Sequence, residues 1–275
     1  MPMSIDRAMR RTARRLLTAA FVAVLAAGVA GCGTSKMTTG SIGRSGGKSV
    51  DTMTAGELQG AAASLGQTYA RSPNDKAVAM KYAAVLQMNG DAGQSLAVMR
   101  KLAIAYPKDR DVLAAYGKAL AANGQLEPAL DAVRRAQTPE YPDWKLVSAE
   151  GAILDQLNQK DEARQKYRRA LELKPNEPTV LSNLGMSYVL EGDLRTAETY
   201  LRSAAGQPGA DSRVRQNLAL VVGLQGRFDE AEKIASQELS PDQAQANVAY
   251  LRSMLSQQNA WNQLKKQDKD KSAAN

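Results

Sequence analysis

Histidine is absent from the 275 residues, and cysteine occurs once, as Cys32. Without an imidazole or a spare thiol, the usual general bases, thiol nucleophiles and zinc-ligand sets are missing together. One cysteine also excludes an internal disulfide. Aromatic residues are only 5% of the chain, and alanine and leucine dominate where a β-rich protein would hold valine, isoleucine and threonine. No G-x-G-x-x-G turn occurs, and the one G-x-S-x-G string, residues 43–47, lies in a Gly- and Ser-rich stretch with no strand before it to form an elbow. Acidic pairs such as Asp161-Glu162 and Asp229-Glu230 read as solvated helix starts rather than as acid–base dyads. The expectation is a non-enzymatic protein with no cofactor, no metal and no small-molecule substrate.

What is present begins with an amino-terminal export signal. Arg7, Arg10, Arg11, Arg14 and Arg15 precede an apolar stretch, residues 16–30, that is short for a mature membrane span. Val29-Ala30-Gly31-Cys32 then resembles the bacterial lipobox, in which the cysteine is acylated and becomes the mature first residue. Residues 1–31 are therefore expected to be a lipoprotein signal peptide, and Cys32 the lipidation site. Each buried methylene contributes about 0.8 kcal/mol, so the multiple acylation that this resemblance implies gives stable anchoring. Gly33, rather than Asp, after the anchor resembles the signal for delivery to the outer membrane. Removing five arginines and one aspartate lowers the formal charge from +8 to +4, with 31 basic and 27 acidic side chains. Basic and acidic residues are interspersed rather than gathered into a basic stripe, which argues against nucleic acid.

Residues 32–53 are rich in Gly, Ser, Thr and Lys, the composition of a flexible tether. Residues 43–49 imitate a phosphate-binding loop, but Ile42 stands where the first glycine is needed and no strand precedes it. Beyond the tether the chain repeats itself every 34 residues without insertion, in blocks 76–109, 110–143, 144–177, 178–211 and 212–245. Position 8 holds Ala83, Gly117, Gly151, Gly185 and Ala219, and position 20 holds Ser95, Ala129, Ala163, Ala197 and Ala231. Position 15 holds Gly90, Gly124, Asn158, Gly192 and Gly226, residues that tolerate the left-handed backbone closing a helix. Pro107, Pro142, Pro175 and Pro208 stand at or near position 32, with Pro241 slightly early.

These residues resemble the tetratricopeptide (TPR) family, in which positions 8 and 20 are small so that two helices can cross closely. The resemblance implies an all-α fold, a right-handed superhelical solenoid of about five helical hairpins with flanking helices. Residues 54–71 read as the second helix of a degenerate preceding repeat. A capping helix is expected over about 242–264, completing a solenoid of residues 54–264, and 265–275 as a charged tail that frays. The departures are Glu150 at the usually apolar position 7, Ala235 at position 24, and Ala79, Leu113, Val147, Leu181 and Arg215 in place of the hallmark tryptophan at position 4.

In that family the concave face is lined by positions 2, 5, 9, 12 and 13 of each first helix. The implied groove contains Met80, Met88, Lys118, Asp155, Met186, Val189, Leu190, Leu220 and Leu224. Methionine-rich grooves repack around different apolar partners. Position 9 lacks the asparagine of the family's clamp for C-terminal carboxylates. Signal, tether and repeats together resemble the TPR lipoproteins of the tight-adherence (Flp) pilus assembly machinery, the TadD family. That resemblance implies a lipid-anchored scaffold on the periplasmic face of the outer membrane, with the secretin and associated pilus or secretion components as partners. Another envelope TPR lipoprotein, a secretin pilotin or an adaptor for cell-wall enzymes, has the same architecture.

Overall fold

The computed structural model describes residues 53–273 apart from 139 and 141, with side chains described as far as 258. The signal segment, Cys32 and the tether up to residue 52 lie outside the described residues, as does the side chain of Trp261. Twelve helices and no strand are found among the described residues. The first is α1 (Ala55–Arg71). Five hairpins follow: α2 (Lys76–Met88) with α3 (Ala92–Ala105), α4 (Arg110–Ala122) with α5 (Leu126–Ala136), α6 (Trp144–Gln156) with α7 (Lys160–Leu173), α8 (Pro178–Glu191) with α9 (Leu194–Ala205), and α10 (Ser212–Leu224) with α11 (Phe228–Ala235). The last helix is α12 (Pro241–Ala273). None of the described helices is long and apolar enough to cross a membrane.

The register expected from the sequence is the register observed. First helices begin at 76, 110, 144, 178 and 212, and second helices at 92, 126, 160, 194 and 228, so both series step by 34. Local chemistry sets each boundary. Asp75, Asp109, Asp143 and Asp211 occupy position 34 and accept hydrogen bonds from backbone N–H groups of the helix that follows. Glu177 makes no such bond, but Pro178 opens that helix and has no N–H to satisfy. At the other end, position 15 is left-handed in all five hairpins, φ lying between 62° at Asn158 and 90° at Gly192. Each first helix then closes with the position-16 N–H donating to the position-11 carbonyl, as Asp91 does to Leu86 and Arg227 to Val222.

Small residues let the two helices of a hairpin meet. A Cβ on Gly117 would stand 2.7 Å from Val133 Cγ2 and 3.2 Å from the Ala129 carbonyl oxygen. The same Cβ on Gly151 would meet Tyr167 Cε1 at 2.8 Å, and on Gly185 it would meet Leu201 Cγ at 2.9 Å. Position 8 is therefore filled from across the hairpin by positions 20 and 24. Position 20 is buried throughout, with Ala129, Ala163 and Ala197 fully enclosed.

Glu150, the exception at position 7, is also buried, but it is not alone. Its carboxylate accepts from Arg134 Nε at 2.8 Å, Lys166 Nζ at 3.1 Å and Gln137 Nε2 at 3.1 Å. Burial by itself would raise its pKa, and these three donors more than offset that, so the carboxyl lies below its usual range.

The capping helix starts at Pro241, close to the expected 242, and follows an α11 of only eight residues. Pro241, expected to end a second helix, opens the capping helix, a position where its missing N–H costs nothing. Ala244, Val248 and Leu251 of α12 are buried, and Leu251 Cδ2 would meet a Cβ on Gly223 at 2.5 Å. The helix also continues to Ala273, past the boundary at 264, since no glycine or proline follows Pro241 and the added residues are mostly helix formers.

Candidate functional site

Consecutive first helices touch one another along the stack, from α2·α4 through α8·α10. Their side chains divide into a seam and an open stripe. Asn183 Nδ2 donates to Ser148 Oγ at 3.3 Å, and Asn217 Nδ2 to Ser182 Oγ at 3.1 Å, so position 6 of one repeat reaches position 5 of the one before. Ser187 Oγ donates to Asp155 Oδ1 at 2.8 Å, which joins position 10 to position 12 of the preceding repeat. Positions 5 and 12 therefore face the next helix, with Ser148, Ser182 and Val189 buried there.

Positions 2, 6, 9 and 13 are left to form the inner stripe, within an arc of about 60° at 3.6 residues per turn. Of the nine residues expected in the groove, Met88, Lys118, Met186, Leu190, Leu220 and Leu224 lie on this stripe. Met88 and Lys118 are exposed, and the other four are half-buried. The remaining three sit in the seam. Met80 packs against the core, Val189 lies within it, and Asp155 is held by Ser187 and by Tyr167 Oη at 3.0 Å. Burial keeps the Asp155 carboxyl above its usual range despite those donors and the nearby Arg164 and Lys160. The three seam residues join repeats.

Shifting position 5 to position 6 also adds residues that the family pattern passed over: Lys81, Ala115, Ala149, Asn183 and Asn217. The repeated Ser–Asn pairs 35 residues apart carried the signal, since hydrogen-bonding side chains at that spacing belong to adjacent first helices. Two regions result. Repeats four and five offer Met186, Leu190, Leu220 and Leu224, edged by Asn183 and Asn217 and, at position 2, by Thr179 and the exposed Arg213. Repeats one to three offer a floor of small residues from which Lys118 stands. The ammonium of Lys118 is drawn below the usual lysine range, first by burial and then by Lys145, with partial relief from Asp143. The side chain is nonetheless exposed.

No grouping of acidic residues among the described ones could hold a metal ion. Two surface depressions lie on the last hairpin and the start of α12, lined by residues such as Asp229, Glu230 and Arg252, none of them on the inner stripe.

Stacked hairpins in unbroken register with a side-chain-lined inner face define a tetratricopeptide-repeat solenoid, the architecture of a protein-binding scaffold. Comparison with known proteins agrees: residues 85–143 match the family model described as tetratricopeptide repeat, and residues 151–192 that described as TPR repeat. No curated protein sequence matches. Among solved structures the chain is similar to PilW, titled a widely conserved type IV pilus biogenesis factor, with a TM-score of 0.56 and 18% identity over 73% of this chain and 91% of that one. It is also similar to a tetratricopeptide repeat protein from Parabacteroides merdae, at TM-score 0.55 and 16% identity over 74% and 81%. PilF of Pseudomonas aeruginosa aligns at TM-score 0.50 and 20% identity over 66% and 83%. At these identities the likeness establishes a common fold.

Proposed function

We propose that this protein is a periplasmic scaffold, held on the outer membrane by lipid on Cys32, that binds partner proteins during assembly of a tight-adherence (Flp) pilus or its secretion apparatus. The observation that carries the scaffold part is the inner stripe, a surface of apolar, amide and lysine side chains repeated in register along the first helices. Such a surface recognises a segment of another protein by shape and burial, without reactive groups of its own. The anchor and the pilus context rest on the lipobox at residues 29–32, the tether and the resemblance to TadD lipoproteins. PilW and PilF share the fold and are named for pili, which keeps the type IV pilus secretin system as the nearest rival.

The test is affinity capture of the tagged full-length chain from envelope extracts, in parallel with Leu220→Glu and Leu224→Glu variants. A secretin and pilus ATPase-complex components of the tight-adherence type are expected with the parent and lost with the inner-stripe variants. Recovery of cell-wall synthases or hydrolases instead would replace the pilus assignment, and capture indifferent to both variants would remove the inner face from the mechanism.

A further inference from the structure

The inner stripe changes character along the stack. In repeats one to three, six of its twelve positions are alanine: Ala77, Ala84, Ala115, Ala122, Ala149 and Ala152. The charged residues among the rest are Lys81, Lys118, Lys145 and Asp111, and Asp111 is already engaged by Lys76 at 3.4 Å. This half of the stripe is thus lined by small side chains and carries more basic than acidic residues. Its central feature is Lys118, which lies at position 9 between Ala84 and Ala152 of the flanking repeats and is exposed. Three other lysines of the stack have partners: Lys76 binds Asp109 at 2.5 Å, Lys160 donates to the Leu190 carbonyl at 2.8 Å, and Lys166 pairs with Glu150. Lys118 has the cation Lys145 and, opposing it, the carboxylate of Asp143 as electrostatic neighbours. Exposed on a floor of alanines, its amine has room to take a partner's carboxylate in a charge-assisted hydrogen bond.

Building on the reading that the inner face is the docking surface, we infer that its occupant is an acidic segment of a partner protein: a carboxylate pairs with Lys118 over the alanine floor, and apolar side chains continue onto Met186, Leu190, Leu220 and Leu224. Charge complementarity sets the occupant. Lys81 and Lys118 repel a basic segment, whereas an acidic one pairs with them, so the same residues supply attraction and exclusion. The alanines matter because they let the partner's backbone come close enough for an aspartate or glutamate to reach the amine. The division of the stripe also gives direction, acidic end toward the amino-terminal repeats and apolar end toward α10.

The experiment is fluorescence anisotropy on the detergent-solubilised full-length chain with labelled synthetic peptides of about 15 residues, long enough to run along several repeats. One peptide has Asp and Glu in one half and Leu, Met and Phe in the other. A second replaces the acids with Asn and Gln, and a third replaces them with Lys. The acidic peptide is expected to bind, with affinity falling as salt rises. The Asn/Gln peptide should bind about tenfold more weakly and the Lys peptide more weakly still. Lys118→Ala should cost the acidic peptide about tenfold while leaving the neutral peptide and the melting temperature unchanged, and Lys118→Arg should restore binding.

Equal binding of the acidic and neutral peptides, no binding of the acidic one, or indifference to Lys118→Ala would each overturn the inference. So would a preference for phosphatidylglycerol vesicles over the peptide. Failure of the broader reading looks different: acidic-peptide binding that survives Leu220→Glu and Leu224→Glu would place the interaction off the inner face.

Discussion

At Gly117, Gly151 and Gly185 the missing methyl group is what the hairpin requires, since Val133, Tyr167 and Leu201 fill the space a Cβ would take. Ala163 and Gly185 are therefore sensitive positions. Ala163→Trp and Gly185→Trp are each expected to lower the melting temperature, corresponding to about 1–3 kcal/mol or more of overpacking, in a thermal melt followed by circular dichroism. Glu150 tests a different kind of fit. Glu150→Gln leaves Arg134 and Lys166 facing each other without a counter-charge. Because both cations are more than a third exposed and recover water, a loss of about 1–3 kcal/mol in urea unfolding is expected. Glu198 governs acid behaviour. Arg227, then Gln225 and Arg202, hold its carboxyl at about 2, below its ordinary 4.5. A depressed carboxyl stabilises the fold above its ordinary value and loses that contribution as pH falls from about 4.5 through 2. Glu198→Gln should cost about 1 kcal/mol at neutral pH and flatten stability against pH across that window, measured by urea midpoints at several pH values. Individual residues of these kinds divide sharply in legibility. The small positions 8 and 20 were readable because their spacing repeats, but the rescue of Glu150 was not, because Arg134 and Lys166 come from two other helices.

At the scale of the helix, starts and stops were written locally. Asp75, Asp109, Asp143 and Asp211 cap, position 15 turns left-handed, and both act within a few residues of themselves. That is why both 34-residue series of helix starts match expectation. The last hairpin departs because α11 stops after eight residues and Pro241 opens the next helix rather than ending this one, and α12 then packs Leu251 against Gly223. Leu251→Ala is expected to open that contact at a cost of about 2–3 kcal/mol local to the end of the stack. Hydrogen exchange should then accelerate in α10, α11 and the first half of α12, while α2 to α5 keep the parent's protection, as nearest-neighbour coupling in a repeat array demands. Uniform acceleration through all the helices would instead mean that the array unfolds as a single unit.

For the whole molecule the decisive features are the proposed anchor at Cys32 and the proposed docking face along the first helices. Cys32→Ala should abolish lipid labelling and membrane attachment with helical content unchanged, checked by metabolic labelling, fractionation and circular dichroism; a variant that stays in the membrane fraction would count against the anchor. The amino-acid sequence alone determined the all-helical class, the repeat length, the hairpin turns and the close-contact residues, because each depends on backbone preferences and spacings that act over a few turns of one chain segment. Only the tertiary structure decided which face of the first helices is open. Positions 5 and 12 were expected in the groove and instead meet the next repeat, drawing Met80, Asp155 and Val189 into the seam and leaving Lys81, Lys145, Asn183 and Asn217 on the stripe. A rotation of tens of degrees separates those two outcomes, and it is set by how neighbouring repeats pack, a contact between segments about 34 residues apart that no single helix encodes.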